Sequence, residues 1–180
     1  EYLLGEFSLD PQTQQALKLG RAMSFLRNDQ LFDADRAIAD LRRSARRNST
    51  DESEDGEEPG VPVQLNESAG LALLEMYRDV KTGHPEEAIA IFHKSRDNIR
   101  RQFGHRVADA YALAARAYDL LNRESDARQA FLDATALSPL SELTRRYPEV
   151  QSLTQRYSST PVPSGGANQF QSISAPGAVA

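Results

Sequence analysis

The side chains that could bind a transition metal are three histidines, because the chain of 180 residues contains no cysteine. His84, His93 and His105 lie 9 and 12 residues apart and form no His-x-x-x-His pair, so helical spacing puts them on different turns. His84-Pro85 is instead typical of a helix start. The sequence therefore predicts no metal site, and the absence of cysteine excludes disulfides and thiol catalysis.

Motifs of nucleophilic and phosphoryl-transfer catalysis are absent from the sequence. It contains no Gly-x-Ser-x-Gly motif and no glycine-rich phosphate loop. Its carboxylates mostly alternate with arginines at intervals of three and four residues, which is the pattern of solvated ion pairs on a helix surface. We therefore expect a protein that is not an enzyme and that uses no cofactor.

An arginine cluster, Arg42 to Arg47, could contact the phosphates of a nucleic acid. Six acids follow it within residues 51–58, and without them 20 acids face 21 bases, which changes the net charge from −5 to +1. These acids can neutralise the cluster, and the near-neutral remainder has no interleaved aromatic residues for base stacking. Nucleic-acid binding is therefore a minor alternative. The simpler interpretation is that these are solvated arginines at the C-terminal end of a helix, where cations suit the helix dipole.

Two segments differ in composition from the rest of the chain. Residues 48–64 are acidic, rich in serine and punctuated by proline and glycine, whereas residues 158–180 carry no charge. Neither can bury enough apolar surface to offset the entropy of ordering, which predicts a disordered acidic linker and a disordered tail. They separate an N-terminal helical hairpin in residues 1–47 from further hairpins and a capping helix in residues 65–157.

Apolar residues recur at intervals of three and four along nearly all the remaining chain, which predicts seven helices and no strand. The first helix is expected near residues 12–28, and the second ends near residue 47. The last covers about residues 141–157, where Pro148 is expected to divide it. The breaks between helices are Asn28-Asp29-Gln30, Gly83, Gly104, Asn122-Arg123 and Ser138-Pro139.

Eight residues near the end of this helical region follow a repeat pattern. They are Tyr111, Ala114, Ala115, Tyr118, Ala127, Phe131, Ala134 and Pro139, at spacings of 3, 1, 3, 9, 4, 3 and 5. This hairpin, over about residues 108–139, resembles a tetratricopeptide repeat. Residues 67–107 resemble the same repeat more loosely, and residues 12–47 more loosely still. The resemblance implies an all-α stack of about three antiparallel helical hairpins followed by a C-terminal capping helix.

In tetratricopeptide arrays the first helix of each repeat lines a concave groove, and the ninth repeat position faces it. The resemblance assigns that position to Arg78 and Arg116, and also to Arg21 if Leu19-Gly20 and Met23 set the register of the first hairpin. Arginines in matching positions suit carboxylates or phosphates, which they bind bidentately. The full set of implied groove residues is Leu74, Arg78, Lys81, Asp109, Leu113, Arg116 and Leu120.

These features favour a non-catalytic scaffold or adaptor that holds a peptide or helix of another protein in this groove. The part of that peptide or helix that meets the arginines is expected to be acidic. A second hypothesis is self-association into a homo-oligomer, in which uncapped repeat edges stack and the protein is an assembly subunit or a regulatory arm of a longer chain. No apolar run approaches the length of a membrane span, and we expect a cytoplasmic location. Because the chain begins at Glu1 without a methionine or a leader, a fragment or a processed product is expected.

Overall fold

A computed structural model describes residues 11–51 and 69–157 of the chain, and all regular structure in these two ranges is helical. The helices are α1 (Pro11–Arg27), α2 (Leu31–Asp51), α3 (Ala69–Thr82), α4 (Pro85–Gln102), α5 (Val107–Leu120), α6 (Glu124–Leu137), α7 (Leu140–Arg146) and α8 (Gln151–Tyr157). Two short 3₁₀ turns, Gly104–Arg106 and Pro148–Val150, precede α5 and α8.

The all-helical prediction is confirmed for the described residues. The expected break at Pro148 divides the last predicted helix into α7 and α8. The predicted end of the second helix near residue 47 was wrong, because α2 continues to Asp51 and so includes the first residues that the composition assigned to the linker. The other predicted disordered residues, 52–64 and 158–180, lie outside the described ranges.

Three turns, one within each helical hairpin, have the same geometry. Asp29, Gly83 and Asn122 each follow a helix end with a positive φ of 57°, 76° and 56°. The next residue in each turn donates its backbone N–H to the carbonyl oxygen five positions earlier, at 2.9, 2.8 and 2.9 Å. This is the Schellman arrangement, in which Gly, Asn or Asp tolerates the left-handed conformation that closes the helix. The local sequence therefore ends α1, α3 and α5 with the same Schellman motif.

The helices pack as three consecutive pairs that lie side by side. α1 packs on α2, α3 on α4 and α5 on α6, while α3 also contacts α1 and α5. The tightest pairing, α5 with α6, is lined by small residues that are fully or almost fully buried: Ala110, Ala114, Ala115, Ala117, Ala127, Ala130 and Ala134. Small side chains let two helix backbones approach closely, which explains why this hairpin has the clearest repeat pattern.

Ion pairs join the first helical pair to the second. Arg42 on α2 lies 2.5 Å from the Glu75 carboxylate on α3, and Arg78 on α3 lies 2.9 Å from Asp35 on α2. Hydrogen bonds to Asp35 and Asp79 raise the pKa of Arg78. These contacts, together with the buried apolar core, hold α1 and α2 against α3 although residues 52–68 separate them in sequence.

Residues 140–157, which comprise α7, the Pro148–Val150 turn and α8, form a segment that we call the C-terminal arm. The arm packs on α5, and α8 also contacts α6. Four of its side chains are fully buried there: Leu143, Tyr147, Val150 and Leu153. The arm therefore covers part of the side of the molecule that the first helices of the hairpins form.

Candidate functional site

A cavity of about 360 Å³ lies between α1, α3 and the turn that precedes α5. Its walls are mostly apolar, and two arginines, Arg27 and Arg106, contribute the cations. The lining residues are Ala16, Leu19, Gly20, Met23, Arg27, Gly70, Leu73, Leu74, Phe103 and Arg106. An apolar pocket of this size with a few polar groups is the usual form of a binding site.

Gly70 lies where α1 contacts α3 at the cavity. A Cβ atom at this position would stand 2.8 Å from Leu19 Cδ1, closer than real Cβ contacts, so the glycine lets Leu19 lie against the start of α3. Leu73 and Leu74 follow on the same helix and form the cavity floor. Helix packing, together with residues 103–106 before α5, therefore shapes this site.

Arg27 is an exposed cation at the cavity. Its Nε donates a hydrogen bond of 3.2 Å to the carbonyl oxygen of Arg146 in the arm. Among the side chains that the structure describes, no carboxylate forms an ion pair with Arg27. Its guanidinium group therefore keeps the capacity to bind an acidic group that reaches the cavity.

Arg106, the other cavity cation, belongs to a buried cluster around Asp109. Asp109 is 0 % exposed and pairs with Arg106 and, at 2.9 Å, with Arg146 of the arm. The Tyr147 hydroxyl donates to Asp109 Oδ2 at 3.1 Å and accepts from Arg106 Nη2 at 3.2 Å. Burial would lower the pKa of Arg106, but its interactions with Tyr147 and Asp109 raise it overall. Two guanidinium groups thus compensate one buried carboxylate.

Glu149 anchors the arm to α3. Its Oε1 lies 3.0 Å from Lys81 Nζ and accepts a hydrogen bond of 3.3 Å from the Tyr77 hydroxyl. The rings of Tyr77 and Tyr147 meet edge to face, with centroids 5.0 Å apart. Burial, and then the Glu149 charge, raise the pKa of Tyr77. Burial would lower the pKa of Lys81, but hydrogen bonds to Asp29 and Glu149 raise it overall.

Four of the residues predicted to line a groove lie beside the cavity, in the contact with the arm, or in the core. Leu74 is part of the cavity floor, and Leu113 is fully buried in α5. Lys81 and Asp109 form ion pairs with Glu149 and Arg146 of the arm. Lys81 and Asp109 are therefore engaged by the chain itself rather than presented to solvent.

The three arginines of the predicted ladder each contact a different neighbour. Arg78 turns to Asp35 on α2, and Arg116 pairs with Asp119 one turn further along α5, at 2.6 Å. Arg21 is exposed, and its guanidinium carbon lies 5.3 Å from the centre of the Phe25 ring. Leu120, the last predicted groove residue, is 38 % exposed at the end of α5.

Sequence reasoning missed the residues that define these sites: Arg27, Phe103, Arg106, Tyr147 and Glu149. Arg106 lies three residues before Asp109, which is the spacing of an ion pair on a helix, and this was a usable signal. Tyr147 and Glu149 flank Pro148, which was interpreted only as a helix break. Nothing in their local pattern indicated that they would contact α3 and α5.

Two of the three histidines contact neighbouring hydroxyl groups. His93 Nε2 lies 3.0 Å from the Tyr118 hydroxyl, and His84 Nδ1 lies 2.8 Å from Thr82 Oγ1. Within residues 11–51 and 69–157 no group of three or more His, Asp or Glu side chains is arranged to hold a metal ion. None of the helices in this part of the chain combines the length and the apolar character that a membrane crossing requires.

Comparison of the chain with protein-family models, with curated proteins and with solved structures found no match. The class of protein that the fold defines is therefore an all-α protein of packed helical pairs, with an apolar, arginine-bearing cavity between the first two pairs.

Proposed function

We propose that the protein is a non-catalytic interaction module, a tetratricopeptide-like stack that binds a peptide segment of another protein. Three observations support the repeat. The turns at Asp29, Gly83 and Asn122 share one geometry, and each first helix contacts the first helix of the next pair. The signature residues Ala115 and Ala127 are fully buried where α5 meets α6.

The cavity between α1 and α3 is the observation that carries the binding proposal. Leu19, Met23 and Phe103 are only partly buried at its walls, so an incoming apolar side chain would remove them from water. Arg27 can bind a carboxylate beside that side chain with two parallel hydrogen bonds. The partner is therefore a peptide or helix with a large apolar residue next to Asp or Glu.

We expect Arg27→Glu to lower the affinity for such a peptide at least about tenfold, since a hydrogen bond to a charged group contributes about 1.5–3 kcal/mol. A displayed peptide library is first selected against the immobilised full-length chain. The affinities of the enriched peptides are then measured by fluorescence anisotropy for the wild-type and variant chains.

Arg36→Glu is the matched control, because Arg36 is an exposed arginine on α2 that does not line the cavity. It changes the net charge by the same amount and should leave the affinity within about twofold, as screened surface charges do. The proposal fails if both variants weaken binding equally, or if the enriched peptides lack an apolar residue next to an acid.

Exposed apolar residues at the two ends of the stack favour self-association as a second candidate function. On the first pair of helices Phe32 is 81 % exposed and Leu17 is 58 % exposed. On the last pair Leu132 and Leu137 are also exposed. Repeat ends without a polar cap are prone to stack on one another.

Under this second proposal we expect the sedimentation coefficient of the wild-type chain to rise with protein concentration. Phe32→Ser should reduce that dependence, because it removes a large apolar side chain that is 81 % exposed. Analytical ultracentrifugation checks both expectations. A wild-type chain that sediments as a monomer at every concentration would remove self-association from consideration.

A further inference from the structure

We propose that the C-terminal arm is a releasable internal ligand, and that the surface beneath it binds a segment of the same chemistry from another molecule. That chemistry is arginine, tyrosine, proline and glutamate in succession, as in Arg146 to Glu149. We define the arm-binding face as Arg106, Tyr77, Lys81, Asp109 and Asp119. The inference extends the proposed function to an adjacent surface that shares Arg106 with the cavity, and its test changes no residue that lines the cavity.

The arm depends on this face for its structure. Its helices α7 and α8 have 7 residues each, and the turn between them has 3. Isolated helices shorter than about 12–15 residues are marginal in water. Once released, the arm therefore loses its helices and becomes an extended, accessible peptide rather than a separate folded unit.

Charged side chains hold the arm at three points along its length. Arg146 pairs with Asp109 and Glu149 with Lys81, both near the middle of the arm. Near its end Arg156 pairs with Asp119 on α5. Alternating charges at fixed positions specify the register of a docked peptide, which buried apolar contacts alone do not.

Each charge on the face retains a partner when the arm leaves. Asp109 keeps its ion pair with Arg106, and Lys81 keeps the pair with Asp29 at 2.6 Å. Asp119 keeps Arg116, also at 2.6 Å. Release therefore leaves no uncompensated buried charge. Such a charge is what makes the breaking of most buried ion pairs so unfavourable.

The link between the arm and the stack also permits release. Ser138 and Pro139 join α6 to α7 in an extended conformation, with ψ values of 142° and 137°. The backbone hydrogen bonds of the link do not cross it: Ser138 N–H donates to Ala134 O in α6, and Pro139 O accepts from the N–H groups of Glu142 and Leu143 in α7. The arm therefore stays tethered close to the face at a high effective concentration, and a partner segment must compete with it.

The test measures binding of a labelled peptide with the sequence of residues 140–157 to the full-length chain by fluorescence anisotropy. The wild-type chain should bind it poorly because the tethered arm occupies the face. Glu149→Lys places a lysine opposite Lys81 and so releases the arm while the face keeps its own residues. We expect this variant to bind the peptide at least about tenfold more tightly, since apparent affinity rises with the fraction of competent molecules.

Lys81→Glu is the matched control, because it breaks the same ion pair from the side of the face. This variant should bind a peptide that carries Glu149→Lys and should not bind the wild-type peptide. The double variant, Lys81→Glu with Glu149→Lys, restores an ion pair of reversed polarity and should bind neither peptide appreciably.

Circular dichroism establishes that each variant retains the helices of the stack, α1 to α6, before binding is measured. If Glu149→Lys does not fold, Tyr147→Ala serves as the releasing variant, because it removes the largest buried side chain of the arm and alters no residue of the face. The proposal is overturned if the folded releasing variant binds the peptide no more tightly than the wild-type chain. It is also overturned if Lys81→Glu and Glu149→Lys bind the wild-type peptide equally.

Discussion

Replacement of Asp109 by alanine is expected to lower the free energy of unfolding by about 3 kcal/mol. Asp109 is completely buried, accepts hydrogen bonds from Arg106 and the Tyr147 hydroxyl, and forms an ion pair with Arg146. Without it, two guanidinium groups and a hydroxyl group lose their shared partner inside the protein. We expect the lower end of the usual range of about 3–5 kcal/mol, because Arg146 can reach water if the arm leaves the face.

Urea denaturation followed by circular dichroism measures this effect. Asp97→Ala is the control, since Asp97 is an exposed aspartate on α4 whose contact with Arg96 is long, at 3.8 Å. Surface substitutions of this kind usually change stability by less than about 0.5 kcal/mol. Equal losses for Asp97→Ala and Asp109→Ala would contradict the role assigned to the buried cluster.

The protein is also expected to lose stability steeply above pH 10. Burial, followed by the nearby Asp109 charge, raises the pKa of Tyr147, and burial with Glu149 raises that of Tyr77. Both folded-state pKa values lie above the ordinary value of 10.0, so the unfolded chain releases these protons first. Stability is thus fully present below pH 10 and is lost as the pH rises further, by about 1.4 kcal/mol per pH unit for each tyrosine.

The two tyrosines together account for a loss of about 5 kcal/mol between pH 10 and pH 12. The raised pKa values of Lys81 and Tyr118 act in the same direction and are common to all the variants compared. Urea denaturation at several pH values measures the slope of the unfolding free energy against pH. Tyr147→Phe should reduce this slope by the contribution of one tyrosine, about 1.4 kcal/mol per pH unit.

Tyr111→Phe is the control for this measurement, because Tyr111 is a partly buried tyrosine on α5 that packs against Phe92, away from the arm. It should reduce the slope less than Tyr147→Phe does. If Tyr147→Phe and the wild-type chain lose stability equally between pH 10 and pH 12, the buried hydroxyl cluster does not control the alkaline limit.

The helices were predictable because local sequence encodes both their apolar faces and their ends. Asp29, Gly83 and Asn122 occur where the apolar periodicity stops, and each adopts the left-handed conformation that ends its helix. The structure continues α2 to Asp51, beyond the end expected near residue 47, although residues 48–51 are weak helix formers. Element boundaries depend on small energy differences of this kind, whereas the existence of an element does not.

The candidate site was only partly predictable, as Arg78 and Lys81 illustrate. Both lie on α3 and were assigned to one groove, but Arg78 pairs with Asp35 on α2 and Lys81 with Glu149 of the arm. Three residues of helix leave the two side chains only about 60° apart around the helix axis, so they share one face and their spacing does not reveal that they have different partners. Which neighbours stand there depends on how distant segments pack, and spacing within one helix carries no information about that.

The sequence by itself determined that the chain forms helices, where most of them end, and which hairpin packs most closely, because periodicity, turn residues and small side chains act over a few residues. Only the tertiary structure decided that the arm covers α5 and reaches α3, and that a cavity remains between α1 and α3. The physical reason is that these features depend on contacts between residues far apart in the chain, such as Tyr77 with Glu149 and Asp109 with Tyr147. Such contacts are selected by the shape and charge of a whole surface, which forms only when the helices have packed.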